Sequence, residues 1–309
     1  MSGLVLVTGT SGFVGRAAAP ALRRRGYEVH GVARTPAEDV DVDAWHIANL
    51  LDPAAVDGLL REAGASHLLH LAWTTEHGRY WSDPANLAWA KTSSVLVQTF
   101  AATGGVRAVM AGSCAQYDWS DEGIGPAGVA SENETPRRPA TLYGRTKQAT
   151  TELLEAWSKE AGLSYATALL FFPYGPYEKA ERLVPSVTRS MLAGEKAATT
   201  AGAQVRDFVH VEDCGAALAA LVDGGVTGAV NIGSGQGSSV ANVATAIARI
   251  LGREDLLRLG CLASGDEDSS TVVAATTRLF DEVGFSPAYD LETGLEDTVE
   301  WWRQRTRRR

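Results

Sequence analysis

The sequence predicts an α/β chain: a Rossmann-like doubly wound parallel sheet with a smaller, mostly C-terminal α/β substrate lobe. Three observations predict it. A short apolar run at the start of the chain leads straight into TGTSGFVG (8–15). Short apolar runs then alternate with helical stretches, which implies right-handed βαβ crossovers. The 309 residues are 45% apolar and 21% charged, enough for a sizeable core and too apolar for a disordered chain.

Residues 3–7 (GLVLV) read as a buried parallel strand. AAAPALRRRG reads as a helix with Gly26 as its C-cap, and YEVHGVAR (27–34) as a second strand. AWHIANLLD carries a third short strand and a turn into a helix near Pro53. SHLLHLAW (66–73) is a fourth strand, about 84–103 a long helix, and VRAVMAGS (106–113) a fifth strand. Residues 118–141, rich in Gly, Pro and acids, read as a loop. A helix over 142–162 and a strand over 163–172 follow. Beyond Pro173 the pattern loosens into a strand, turn and helix over 206–224, a strand at 229–235 and a helix at 242–252. GSGQGSS (233–239) reads as a turn with a serine N-cap, and RQRTRRR as a frayed tail. The predicted division is 1–170 plus about 204–230 for the nucleotide lobe. About 171–203 plus 231–309 form the substrate lobe, interleaved with it.

Charge and composition exclude several classes. Lys and Arg number 28 against 37 Asp and Glu, so the net charge is −9, unsuited to nucleic acid phosphates. No stretch approaches the ~18 apolar residues of a membrane span, and the N-terminus lacks a basic n-region and a cleavage site. Cys114, Cys214 and Cys261 are odd in number and far apart, against a disulfide framework or a zinc site. The expectation is a soluble, cytoplasmic protein with no nucleic acid or membrane partner. The six histidines have no metal-ligand spacing, so no metal is expected. His70 and His210 read as core histidines. GxSxG and GxxxxGK[ST] are absent, against serine-hydrolase and P-loop chemistry.

Gly9, Gly12 and Gly15 directly follow the first strand. The first permits a tight turn, the second close approach of backbone to a pyrophosphate, and the third packing of helix on strand. A dinucleotide site is therefore expected. At the end of the second strand NAD sites place an acid for the ribose 2′-hydroxyl, and NADP sites a cation for the 2′-phosphate. Here Arg34 stands there and the first acid is Glu38, so NADP(H) is favoured, with NAD(H) the alternative.

Tyr143 and Lys147 form an i, i+4 pair in YGRTK, and Ser113 closes the fifth strand. With the glycine turn, these three residues resemble the Ser–Tyr–Lys set of the short-chain dehydrogenase/reductase superfamily. The chain is most similar to its extended branch of NAD(P)-dependent nucleotide-sugar epimerases, dehydratases and reductases. TGTSGFVG, HLAW, GSCAQY, TPRRPATLYGRTK, FFPYGP, RLVPSV, RDFVHVED and NIGSG carry the resemblance over nearly the whole length. It implies catalysis by Ser113, Tyr143 and Lys147. Lys147 would bind the nicotinamide ribose and lower the pKa of Tyr143, which would pass a proton to or from a sugar oxygen held by Ser113.

The resemblance also implies cofactor contacts at Gly9, Ser11, Gly12, Phe13, Val14, Gly15, Arg34, Asn49, Leu50, Leu71, Ala72, Trp73, Tyr143, Lys147 and Phe171. Substrate contacts are implied at Thr74, Ser113, Cys114, Tyr143, Phe172, Arg182, Leu183, Val184 and Arg206. Trp73, Thr74, Tyr80, Trp81 and Trp89 would flank the pocket mouth. Sugar 4,6-dehydratases of this branch carry Asp-Glu just after the Ser or Thr, where this chain has Cys114 and Ala115. The Asn of many relatives that touches the diphosphate is replaced by Phe172. The family's Asn on the helix after the fourth strand is also missing, with Lys91 or Ala90 in its place. The expected activity is that of an NADP(H)-dependent 4-keto-6-deoxyhexose 4-reductase on a nucleotide-diphosphate sugar, or the reverse oxidation. A 4-epimerase is the close rival and a non-catalytic NADP-binding sensor the remote one. Relatives suggest a homodimer through the helices at 84–103 and 142–162.

Overall fold

A computed structural model describes residues 3–263 and 271–307. In chain order the first half contains β1 (Leu4–Thr8), α1 (Phe13–Arg24), β2 (Glu28–Ala33), β3 (Ala44–Ile47), α2 (Pro53–Ala63), β4 (His67–His70), α3 (Ala85–Ala102), β5 (Arg107–Ser113) and β6 (Val129–Ala130). α4 (Leu142–Ala161), β7 (Ser164–Leu170), β8 (Phe172–Tyr174), α5 (Leu183–Leu192), β9 (Ala197–Ala198), β10 (Val205–His210) and α6 (Val211–Asp223) follow. The chain ends with β11 (Gly228–Ile232), β12 (Gly237–Ser239), α7 (Val240–Leu251), β13 (Leu257–Arg258), β14 (Thr271–Ala274) and α8 (Leu291–Arg307).

The central sheet has seven parallel strands in the order β11-β7-β5-β4-β1-β2-β3. From β1 the chain builds outward to β2 and β3, then returns to place β4 on the other side. The crevice outside the C-terminal ends of β1 and β4 is the switch point where such sheets bind ligands. Side chains alternate across β1: Val5 and Val7 join one core with α1 and α6, while Leu6 joins another with α2, α3 and α4. Both faces are covered, which is why these strands read as continuous apolar runs. α1 and α6 approach closely because Gly215 has no side chain; a Cβ there would lie 2.5 Å from the Ala17 carbonyl carbon.

A second sheet orders β12-β10-β14-β6, with β8 pairing β10 in parallel. α5, α7 and α8 pack with Tyr174 into a third core. Segment 204–230 divides between the layers: β10 lies in the second sheet, whereas α6 packs on α1 and β11 edges the central one.

Several elements differ from their sequence reading. α1 begins at Phe13, so Gly15 lies inside its first turn; it ends at Arg24 with Arg25, not Gly26, as its C-cap, and Gly26 lies just beyond in the left-handed region. The strand expected over 163–172 breaks after Leu170, and Phe172 pairs with Phe208 in the second sheet. Residues 303–307, expected to fray, complete α8, anchored by buried Val299 and Trp302. Ser239 caps α7 as expected, accepting from Asn242 N at 3.0 Å.

Candidate active site

The glycine turn is set by backbone contact. Gly9 has φ of +72°, and a Cβ on it would lie 2.9 Å from Ala72 N. A Cβ on Gly15 would lie 2.7 Å from Thr10 Cα, so the helix can start here only with glycine. Leu71 and Ala72 serve through their backbone: Leu71 N donates to Thr8 O at 3.1 Å, and Ala72 N to Thr8 Oγ1 at 3.3 Å. Gly12 caps α1 and has no side chain to satisfy the first amides. Those amides and the helix dipole favour an anion. Ser11, Phe13 and Val14 are partly buried around the turn. The residues present therefore fit a dinucleotide, through a cradle that side chains would fill. Arg34 follows β2, exposed, with no ion-pair partner among the described residues. Asn49 is exposed and folds its side chain back onto Leu51 N, while Leu50 is buried in the α2–α3 core.

β5 delivers Ser113 at its C-terminal end, beside the turn 114–116. The Ser113 hydroxyl accepts from Ala115 N at 3.2 Å and is also a hydrogen-bond partner of Tyr143. Thr141 caps α4, accepting from Gly144 N at 3.1 Å, which puts Tyr143 in the first turn. Gly144 lets that turn touch the 114–116 turn, since a Cβ there would lie 2.6 Å from Pro139 Cβ and against Ala115 O. One helical turn on, Lys147 Nζ donates to Ala111 O at 2.6 Å and lies 3.9 Å from the centre of the Trp73 ring.

Burial governs the electrostatics. It pushes the Tyr143 hydroxyl well above its ordinary pKa, opposed by the Ser113 hydrogen bond. It lowers Lys147 to about 7. The expected lowering of Tyr143 by Lys147 is not found: desolvation dominates, and the groups that lower the phenol are Ser113 and, more weakly, Arg182. His70, expected to be a satisfied core residue, is one: Nδ1 bonds Thr8 Oγ1 at 2.6 Å and Nε2 bonds Ser93 Oγ at 2.8 Å. Burial holds it neutral, at about 3.

Rings wall the space over Tyr143. Tyr80 and Trp81 stand edge-on to it at 5.0 and 5.8 Å. Trp119 lies 6.4 Å from Trp81 and 6.2 Å from Phe172. The Arg206 guanidinium lies 5.6 Å from both the Trp119 and Phe172 rings, and that of Arg182 lies 5.4 Å from Tyr80. Cys114 is buried, its thiol raised to about 12, which removes it from acid–base work near neutrality. Leu183 starts α5 beside Arg182, and Thr74 bonds Asp83 at 3.4 Å.

Two expected contacts are not brought to this space. Val184 is buried in the α5–α7–α8 core, and the Phe171 side chain is buried behind the wall, in a core against which Trp119 and Phe172 pack. Asn86, Gly144, Trp119 and Glu178 also belong to the site and do not stand out in the sequence. Only Gly144, beside Tyr143, carried any signal. Glu178 is half-buried near Arg182 with Oε2 enclosed, and desolvation pushes it up to about 8. A cavity of about 460 Å³, lined by Arg137, Lys159 and Arg278, lies beside the start of β7 and β11 and holds none of the expected residues. Among the described residues no cluster of His, Cys, Asp or Glu could hold a metal ion, and no helix is long and apolar enough to cross a membrane.

Known proteins resemble this chain in sequence and fold. The chain is 31% identical over 172 residues to dTDP-glucose 4,6-dehydratase of Mycolicibacterium smegmatis, a match covering 55% of this chain and 52% of that protein. It thus spans about half the length of the dehydratases it matches. It is 27% identical over 323 residues to UDP-glucose 4-epimerase of Corynebacterium glutamicum, covering 95% of this chain and 94% of that one. The structure of Thermus thermophilus UDP-glucose 4-epimerase in complex with NAD superposes with a TM-score of 0.85 at 25% identity, covering 97% of this chain and 99% of that one. Residues 5–233 match the NAD dependent epimerase/dehydratase family, and the chain belongs to it.

Proposed function

We propose that this member of the NAD dependent epimerase/dehydratase family is an NADP(H)-dependent reductase of a 4-keto-6-deoxyhexose carried on a nucleotide diphosphate, or runs the reverse oxidation. One observation supports this reading above the others. The Ser113–Tyr143 hydroxyl pair is followed in the chain by Cys114 and Ala115, a buried thiol and a methyl, where dehydration would need an acid and a base. Proton transfer to one oxygen suits that set, and elimination does not.

A bound nicotinamide supplies or accepts the hydride. The chain's residues do the rest. Ser113 and Tyr143 hold the carbonyl oxygen, and Tyr143 gives it the proton as the alkoxide forms. Raised by burial, the Tyr143 hydroxyl starts in the protonated state that reduction needs. Lys147, charged below about 7, orients the cofactor ribose. Arg34 takes the 2′-phosphate, and Arg206 and Arg182 take the substrate's diphosphate side. The aromatic wall excludes water and suits a sugar face that carries a methyl group.

The test adds NADPH and dTDP-, UDP-, GDP- and CDP-linked 4-keto-6-deoxyhexoses. Loss of nicotinamide absorbance in step with product is expected. Interconversion of two epimers without added cofactor or net absorbance change would replace this reading with a 4-epimerase, which the full-length likeness to UDP-glucose 4-epimerases favours. Leu87 and Leu153, 60% and 56% exposed on α3 and α4, support a homodimer through those helices. The unpaired thiols of Cys114, Cys214 and Cys261 suit a cytoplasmic location.

A further inference from the structure

Asn86 is a fully buried amide at the start of α3, and every hydrogen-bonding atom of its side chain is used. Oδ1 accepts from Trp73 Nε1 at 2.8 Å. Nδ2 donates to Tyr80 O and to Asp83 O, each at 2.8 Å. One side chain therefore closes the whole loop from Trp73 to Asp83. The two ends of that loop meet the two residues assigned to proton transfer and cofactor binding. At one end the Trp73 ring faces Lys147 Nζ at 3.9 Å. At the other the Tyr80 ring stands at 87° to Tyr143, 5.0 Å away, and Trp81 O accepts from Tyr143 N at 3.1 Å.

A staple that only closed a loop could bond any backbone atoms. This one bonds the indole N–H of the ring lying on the ammonium, so it sets that ring's height and tilt. The face of an indole attracts a cation, and the attraction strengthens where water is excluded. Trp89, one turn along α3 from Asn86, backs the same indole at 6.4 Å with planes 28° apart. The ammonium is thus gripped between Ala111 O and an indole whose position Asn86 decides.

We propose that Asn86 is a positioning residue for the Tyr143–Lys147 pair, acting on Lys147 through Trp73 and on Tyr143 through the backbone of Tyr80. The proposal rests on the reading of Lys147 as the group that holds the nicotinamide half of the cofactor.

The test compares NADPH and NADH with their adenosine halves, 2′,5′-ADP and ADP, as ligands of the full chain. For Asn86→Leu, dissociation constants for the intact cofactor should rise about tenfold, the loss of one hydrogen bond to a charged group. Those for the adenosine halves should stay within about twofold. A merely loosened fold would weaken both halves alike. Trp73→Phe, which keeps a ring but drops the donor, should give a smaller rise of the same kind, and decides the matter if Asn86→Leu does not fold. Combining Asn86→Leu with Lys147→Met should weaken the intact cofactor no more than Lys147→Met alone, because both act through one contact. If Lys147→Met weakens the intact cofactor while Asn86→Leu and Trp73→Phe do not, or if the effects multiply, the positioning role is wrong. If Lys147→Met itself changes nothing, the reading of Lys147 beneath it fails, and the proposal with it.

Discussion

Lys147 and Tyr143 depart from their ordinary ionisation chiefly through the loss of water, and burial drives both towards the neutral form. For the phenol this preserves the proton that the proposed reduction would consume. For the lysine it makes the charge conditional, since a depressed amine is cationic below its folded pKa and neutral above it. Affinity for NADPH should therefore fall as pH rises from about 6 to about 8.5. Titration calorimetry at several pH values would measure this, and a flat profile would mean that bound cofactor or Trp73 restores the charge. Tyr143→Phe removes the transferred proton and little packing. Turnover should drop by about 10² to 10⁴, with melting temperature and cofactor affinity nearly unchanged.

Glycines decide how closely the elements meet. Gly9 and Gly15 bring the first crossover against the backbone of Leu71–Ala72 and Thr10. Gly144 does the same between α4 and the turn after Ser113, so the phenol and the serine can share one oxygen. Gly144→Ala puts a methyl against Ala115 O and Pro139, and overpacking of that kind costs about 1–3 kcal/mol. Denaturant unfolding should show that loss, and turnover per folded molecule should fall as Tyr143 and Ser113 separate. Gly15→Ala should abolish dinucleotide binding by displacing α1 from the cradle, read by loss of the thermal shift that NADPH otherwise produces.

Across the whole molecule, the strand order creates the switch-point crevice at the C-terminal ends of β1 and β4. Phe172 and Phe208, paired on β8 and β10, carry the aromatic wall into the second sheet. Substrate binding should therefore couple the two layers. A nucleotide ligand should stabilise the fold through mass action by about 2.7 kcal/mol at a hundredfold excess over its dissociation constant, seen as a rise in melting temperature. Leu153→Arg should shift sedimentation towards the monomer if α3 and α4 form the proposed interface. An unchanged molecular mass, whether monomeric or dimeric, would remove that interface.

The parts legible in the sequence are those whose chemistry is written in short spacings. Three glycines after a strand, a Tyr and a Lys one helical turn apart, and a Ser at a strand end are constraints of local backbone geometry. A single chain displays them without knowing its fold. The apolar strands and the helix patterns were legible for the same reason. Orientation and distant partnership were not. Val184 and Phe171 sit next to site residues in sequence, yet the alternation of a strand and the rotation of a helix turn them into cores. Asn86 sits where the helix begins and looks like any polar residue there, because its three partners lie along a loop whose path only packing sets. The sequence by itself determined which groups could perform the chemistry. The tertiary structure decided which of them lose water and face one another, since burial and side-chain direction depend on neighbours brought together from across the chain.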